Sequence, residues 1–339
     1  VIAGNDKRRY NAGVDFKKGD KTTMKKKIIA AIACIAAAIT AILPAAACSS
    51  NKFDPDKQIT VVARTKTSGT REAFDTVVTD GTNHLLDKVN GEKVFRTTDK
   101  AVCLEETAGV ITKVTSDKQA IGYISLGSLN DTFKVIKVGG VTPSKATVLD
   151  HSYKIQRPFV LVTKKGITHT PVAEDFIKFL KSASAEALCD KAGTVYLSDP
   201  AMRANTGKDP IAVEKFEKQA ALPSGGKIII RGSTSMEKLI TLAAKAYADL
   251  YGVNGADLFD IEVKGSSVGV SEAEKDTAGN VIGMSSAKVD KDALDSFNIC
   301  LDAVAVIVNN DNDIASDLTL AQLYDVYTGK ITKFSELAK

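Results

Sequence analysis

The chain reads as an α/β protein, and three observations predict that class. Short apolar runs alternate with helix-period segments from about residue 58 to the C-terminus, the pattern of strands covered by helices. Several of those runs end in a Gly/Ser/Thr turn that opens a helical stretch. The composition, 44% hydrophobic and 25% charged with 24 Gly and 8 Pro in 339 residues, is that of an ordinary globular chain long enough for two domains.

In chain order, the first segment is expected to stand outside the fold. Met24 is followed by Lys25, Lys26 and Lys27, then by Ile28 to Leu43 with only Thr40 polar, then by Pro44-Ala45-Ala46-Ala47-Cys48. A charged start, an apolar stretch and a small-residue cleavage site make an export signal, and sixteen apolar positions ending in Pro suit it better than a membrane span of about 20. The pattern resembles a bacterial lipoprotein signal, which implies that Cys48 becomes a lipidated first residue and anchors the protein outside the cytoplasm. Ala45 stands where Leu is usual in such signals, so plain cleavage after Ala47 is the alternative. Residues 1–23 are read as an upstream extension of the signal, and residues 48–57, polar and turn-rich, as a tether.

The folded part then opens with a strand at Ile59 to Val62 and a helix that buries Phe74, Val77 and Val78. Further strands are expected at Ala120 to Ile124 and Phe159 to Val162, and a helix from Val172 to Leu188. A polar junction spans residues 205–226. Beyond it come a strand at Ile228 to Ile230 and a helix with Met236, Leu239, Ile240, Ala243, Tyr247 and Leu250 on one face. A buried strand at Ala303 to Val308 and a helix from Leu320 to Tyr327 complete the set.

Charge and rare residues narrow the function. Nine of the 45 basic and three of the 41 acidic side chains precede Cys48, leaving 36 and 38 in the remainder. A net charge of about −2, with no Trp and 6% aromatic residues, argues against nucleic-acid binding. The cysteines at 34, 48, 103, 189 and 300 fit no zinc or haem spacing and suggest no disulfide framework. His84, His151 and His169 are isolated, so no metal or other cofactor is expected.

Chemistry concentrates in the turns: Arg64 to Thr70, Gly232 to Ser235, Gly265 to Gly269, and Ile282 to Ser286. Such turns offer backbone N–H groups and hydroxyls at the positive end of a helix, a good setting for an anion. Singly, each is more often just a helix cap; the recurrence is what points to a site. Nucleotide motifs are missing, because Gly207-Lys208 and Gly329-Lys330 are followed by Asp and Ile where a P-loop needs Ser or Thr. Ser235-Met-Glu-Lys238 and Ser285-Ser-Ala-Lys288 match the Ser-x-x-Lys pattern of penicillin-recognising enzymes without its partner motifs. A secreted serine acyl-transferring enzyme using Ser235 and Lys238 is therefore one alternative function, and a binding-fold protein for another oxyanion or for sensing is a second.

These segments resemble the PstS phosphate-binding proteins of bacterial ABC importers. Arg64-Thr-Lys-Thr-Ser68-Gly69-Thr70-Arg71 resembles that family's Arg-x-x-x-Ser-Gly-Thr segment. Ala120-Ile-Gly-Tyr-Ile-Ser-Leu126, Gly232-Ser-Thr-Ser-Met236, Gly265-Ser-Ser-Val-Gly269, Asp302 to Asn309 and Tyr327-Thr-Gly-Lys-Ile331 resemble others. The usual order is exchanged, since the Ser-Gly-Thr-Arg half comes first here. The resemblance implies a circularly permuted type II periplasmic-binding-protein-like fold. One lobe would take 58–154 and 303–339, the other 155–302, with a two-strand hinge near Gln156 and Ala303.

Carried over by residue, the family's anion ligands fall on Arg64, Ser68, Gly69, Thr70, Thr234, Ser235 and Ser266. The resemblance further implies a non-enzymatic, monomeric receptor that takes inorganic phosphate and delivers it to transporter permease subunits. Two positions depart from the family pattern. Val281 stands where an acidic residue is expected before Ile282-Gly283, and Ala287 where Arg is expected. A site of donors alone would admit any tetrahedral oxyanion, so an acceptor is sought at Asn280 or Glu72.

Overall fold

In the computed structural model, residues 52–203 and 210–338 are described; the expected signal, Cys48 and the start of the 205–226 junction lie outside them. Among the described residues, no helix is long and apolar enough to cross a membrane.

The sheet explains how the two halves of the sequence come together. Its strands are β1 (Thr60–Arg64), β2 (Val102–Leu104), β3 (Ala120–Ser125), β4 (Gln156–Lys164), β5 (Val195–Tyr196), β6 (Ile228–Gly232), β7 (Phe259–Val263), β8 (Val281–Ser285) and β9 (Leu294–Val308), with a tenth, two-residue strand at Lys134–Val135 paired to β9. The order across it is β7-β6-β8-β4-β9-β3-β1-β2, with β5 paired to β9. β1, β2 and β3 run parallel, as do β6, β7 and β8. Between these groups β4 and β9 lie antiparallel, from Leu294 opposite Lys164 to Ala303 opposite Gln156. These two long strands are the hinge through which the chain passes from one lobe to the other. Beyond Ala303, β9 continues along β3 and is fully buried to Val308, as expected of a central strand covered on both faces.

Each lobe has its own apolar centre. In one, Phe74, Tyr123 and Tyr327 form an aromatic cluster, with Phe74 stacked on Tyr123 at 4.1 Å between centroids. In the other, Phe176 meets Tyr247 at 5.1 Å and Phe259 at 4.8 Å. The helices that matter for the site are α1 (Gly69–Val77), α2 (Thr107–Ser116), α3 (Pro171–Lys181), α4 (Ser184–Ala192), α5 (Glu237–Tyr251) and α6 (Ser266–Lys275).

Three sequence expectations change. The single helix expected over 172–188 is two, α3 and α4, because the Ser182 hydroxyl turns back to the Phe179 carbonyl at 2.7 Å and the Ala183 N–H leaves for Glu214, a local competitor to helix continuation. The junction is more than a spacer: Phe216 packs edge-on against Phe179 at 5.2 Å, seating its described part on the core. Leu250, placed on the apolar face of α5, is 38% exposed at the helix end, while Met236, Leu239, Ile240, Ala243 and Tyr247 are buried.

Candidate functional site

Three helix beginnings meet where the lobes touch. α1 starts after β1, α6 after β7, and α5 after a 3-10 turn, Thr234–Met236, that follows β6. Each strand delivers its turn to the same edge because neighbouring strands within a lobe are parallel. Gly265 begins α6 at φ +116, a left-handed value that favours glycine. Gly69 answers a different need: a Cβ there would stand 2.4 Å from Ser266 Oγ and 2.8 Å from Ser286 Oγ. Only a glycine lets the α1 backbone approach the other lobe this closely.

Arg64 is the centre of the arrangement. It ends β1, is 2% exposed, and donates from Nη2 to Thr234 Oγ1 across the lobes at 2.9 Å. From Nη1 it reaches Thr107 Oγ1 at 3.3 Å and Thr70 Oγ1 at 3.5 Å, and from Nε the Leu104 carbonyl at 3.2 Å; the Glu105 carbonyl also accepts from Nη2. Every acceptor it meets among the described residues is thus neutral. Burial, with the positive charge of Arg157 adding to it, pulls the guanidinium down to about 10. Tyr123 and the Glu106 carboxylate oppose that shift, but no carboxylate accepts a hydrogen bond from the guanidinium among the described residues; a buried cation without a bonded carboxylate is costly, and a dehydrated anion would supply that partner.

Hydroxyls surround that guanidinium. Thr70 Oγ1 and Ser235 Oγ are 2.8 Å apart across the lobes, and Thr107 Oγ1 lies 3.5 Å from Thr234 Oγ1. Ser286 Oγ accepts from Ser233 at 2.8 Å and is 3.2 Å from Ser266 Oγ, whose oxygen accepts the Ser286 N–H at 3.1 Å. The neighbouring Arg71 differs from Arg64: it is paired with buried Asp75 at 2.9 Å and donates to the Arg64 carbonyl at 2.8 Å. Burial lifts the Asp75 carboxyl to about 6 against the pull of Arg71.

Six of the seven candidate residues, Arg64, Gly69, Thr70, Thr234, Ser235 and Ser266, fall into this contact set. Ser68 stands beside it as the helix cap, its oxygen accepting the Arg71 N–H. Sequence reasoning missed Thr107, Ser233 and Ser286. Thr107 opens α2 soon after β2 without a glycine to mark the turn, whereas the two serines lay inside turns already singled out.

The acceptor expectation is corrected. Val281 sits at the start of β8, paired with Ile229, and its N–H bonds to Asp276, so its side chain is at the far end of the strand from the site. Asn280 donates to the Lys227 carbonyl, and Glu72 is paired with Lys93 at the surface. The residue that β8 delivers to the site is Ser286. Since a hydroxyl both donates and accepts, the site is not limited to donors. The Ser-x-x-Lys pairs do not assemble either: Lys238 donates to the Gly127 carbonyl of the opposite lobe, while Ser285 turns to the Ala287 carbonyl.

A family described as the PBP superfamily domain matches residues 26–184 and 217–339. "Phosphate-binding protein PstS 2" of Streptococcus agalactiae serotype V (strain ATCC BAA-611 / 2603 V/R) is 34% identical over 299 residues, 87% of this chain and 93% of that one. The chain belongs to the PstS family of that superfamily. Another PstS relative, "Phosphate-binding protein PstS" of Staphylococcus aureus (strain USA300), is 27% identical over 173 residues, 48% of each chain. The crystal structure of a phosphate-binding protein of a phosphate ABC transporter from Streptococcus pneumoniae TIGR4 superposes with a TM-score of 0.58 at 32% identity, covering 82% of this PstS chain and 99% of that one.

Proposed function

We propose that this protein is an extracytoplasmic receptor that captures inorganic phosphate between its lobes and delivers it to the permease subunits of an ABC importer. The observation that carries the reading is Arg64, a buried guanidinium that meets only neutral acceptors among the described residues and reaches from one lobe to Thr234 in the other. Thr70, Thr234, Ser235 and Ser266, with the Ser68 hydroxyl and the N–H groups at Gly69 and Thr70, then ligate the anion beside the Arg64 fork. The names of the streptococcal and staphylococcal relatives support phosphate as that anion. The lobes are taken as 58–154 with 303–339, and 155–302; the protein acts as a monomer and carries out no reaction.

The order of the halves belongs to the same reading. One alignment spans 93% of the streptococcal relative but stops at 48% of both chains for the staphylococcal one. These coverages are compatible with halves exchanged relative to the second, a circular permutation of the kind that surface polar segments tolerate.

Calorimetric titration of the chain from Ser49 onward tests the function. Phosphate should bind, and sulfate and arsenate report selectivity; no heat with any of the three would remove the proposal. Ser235→Ala should weaken phosphate binding by about 10- to 150-fold, the loss of one hydrogen bond to a charged group. Covalent labelling of Ser235 by a β-lactam would instead favour an acyl-transferring enzyme.

Cys48, outside the described residues, is the proposed lipid anchor. Mass spectrometry of the membrane fraction should find it as a modified N-terminal residue, and an unmodified Cys48 in that fraction would exclude the anchor.

A further inference from the structure

We propose that Cys189 and Cys300 form a disulfide when the exported chain folds, by exchange with a disulfide oxidant of the thiol-oxidoreductase or oxidised-glutathione class. The proposal rests on the extracytoplasmic reading, because such bonds persist in oxidising compartments. The two residues are far apart in sequence, but the fold joins them. Cys189 lies in the last turn of α4, which Gly193 ends at φ +83. The Thr194 N–H and hydroxyl both turn back to the Cys189 carbonyl, at 3.0 and 3.2 Å. The next two residues are β5, and Tyr196 pairs directly with Cys300. The chain therefore returns from one thiol onto the strand that carries the other.

Both thiols are fully buried and belong to the same apolar cluster, and the Cys189 side chain is among the neighbours acting on the Cys300 thiol. A metal reading lacks ligands, because no group of three His, Cys, Asp or Glu that could hold an ion occurs among the described residues. Cys103, on β2, is exposed and belongs to the other lobe.

The exchange balances in two steps. One thiolate attacks the oxidant's disulfide to give a mixed disulfide and a released thiol or thiolate; the second thiolate then displaces the remaining oxidant sulfur. The sum is two protein S–H bonds lost, one S–S bond formed, and the oxidant's disulfide reduced to two thiols. Burial pushes the Cys300 thiol well above its ordinary range, so the step belongs to the folding chain, before the cluster closes over the sulfurs. The bond would enclose the stretch from Asp190 to Ile299, including the 205–226 junction, and fasten α4 to β9 two residues before Asp302 at the hinge.

The test refolds the full chain with oxidised glutathione, then denatures, alkylates and digests it without reductant. A linked peptide pair containing Cys189 and Cys300, with Cys103 alkylated, is the expected result. The oxidised protein should melt roughly 10 °C above the reduced one, an increase absent in Cys189→Ala and in Cys300→Ala. Full alkylation of both residues, or linkage of either to Cys34, Cys48 or Cys103, overturns the proposal. Phosphate titration of the same samples separates the two readings. Unlinked thiols with intact binding refute the disulfide alone, whereas a linked protein that binds no oxyanion supports the disulfide and refutes the receptor.

Discussion

Arg64→Ala should bind phosphate about a thousandfold more weakly than the parent while its thermal unfolding stays cooperative. The guanidinium is the buried cation of the contact set whose hydrogen-bond acceptors, among the described residues, are all neutral. Without it a divalent anion would be buried against hydroxyls and N–H groups alone. Leaving a buried charge unpaired costs several kcal/mol, and about 4 kcal/mol corresponds to a thousandfold change in Kd. Arg71→Ala is the comparison that makes the result informative. Its charge is already held by Asp75 at 2.9 Å, so its removal should lower stability more than affinity. Calorimetry on both variants, with melting curves, decides the matter. An Arg64→Ala protein that binds phosphate as tightly as the parent would put the anion somewhere else.

The second large effect is expected at the hinge. Asp302 is fully buried on β9 and accepts from Arg157 Nε and Nη2 at 3.1 and 2.9 Å, from Ser125 Oγ at 2.8 Å and from the Leu126 N–H at 3.0 Å. Burial pushes the carboxyl up and the guanidinium down, and their mutual pairing opposes both. Asp302→Ala leaves the Arg157 cation buried without its partner, which costs about 3–5 kcal/mol. For a fold of this size that is a fall in Tm of roughly 10 °C. Removing both charges while keeping an acceptor for Ser125 and Leu126, Arg157→Met with Asp302→Asn, should recover part of the loss. Denaturant unfolding of the single and double variants measures it; an Asp302→Ala protein within 1 kcal/mol of the parent would show that the pair carries little of the fold.

What the sequence disclosed follows from how locally each feature is encoded. β1, β3 and the buried half of β9 were legible because they are unbroken apolar runs, and the opening turn of α1 because Ser68-Gly69-Thr70 marks it. The break at Ser182 was hidden, since it depends on the Ala183 N–H bonding Glu214 far along the chain. Thr107 was illegible for a related reason. Nothing around it departs from an ordinary helix start, and only the packing of β2 beside β1 brings it to Arg64. The error at Val281 was one of register along a strand: the motif was recognised, but the end of β8 that reaches the site was not.

The pairing of β9 also sets an order of events during synthesis. Ile121 to Ser125 on β3 find their antiparallel partners only at Val304 to Val308, and Arg157 finds its carboxylate only at Asp302. Until the ribosome has made most of the chain, one edge of β3 lacks these neighbours and the Arg157 guanidinium lacks Asp302. Such long-range pairings slow folding and leave strand edges open to misassociation. A chaperone or the export machinery acting on the nascent chain would therefore meet an unfinished first lobe, and truncation before residue 303 should yield a species that aggregates through that edge.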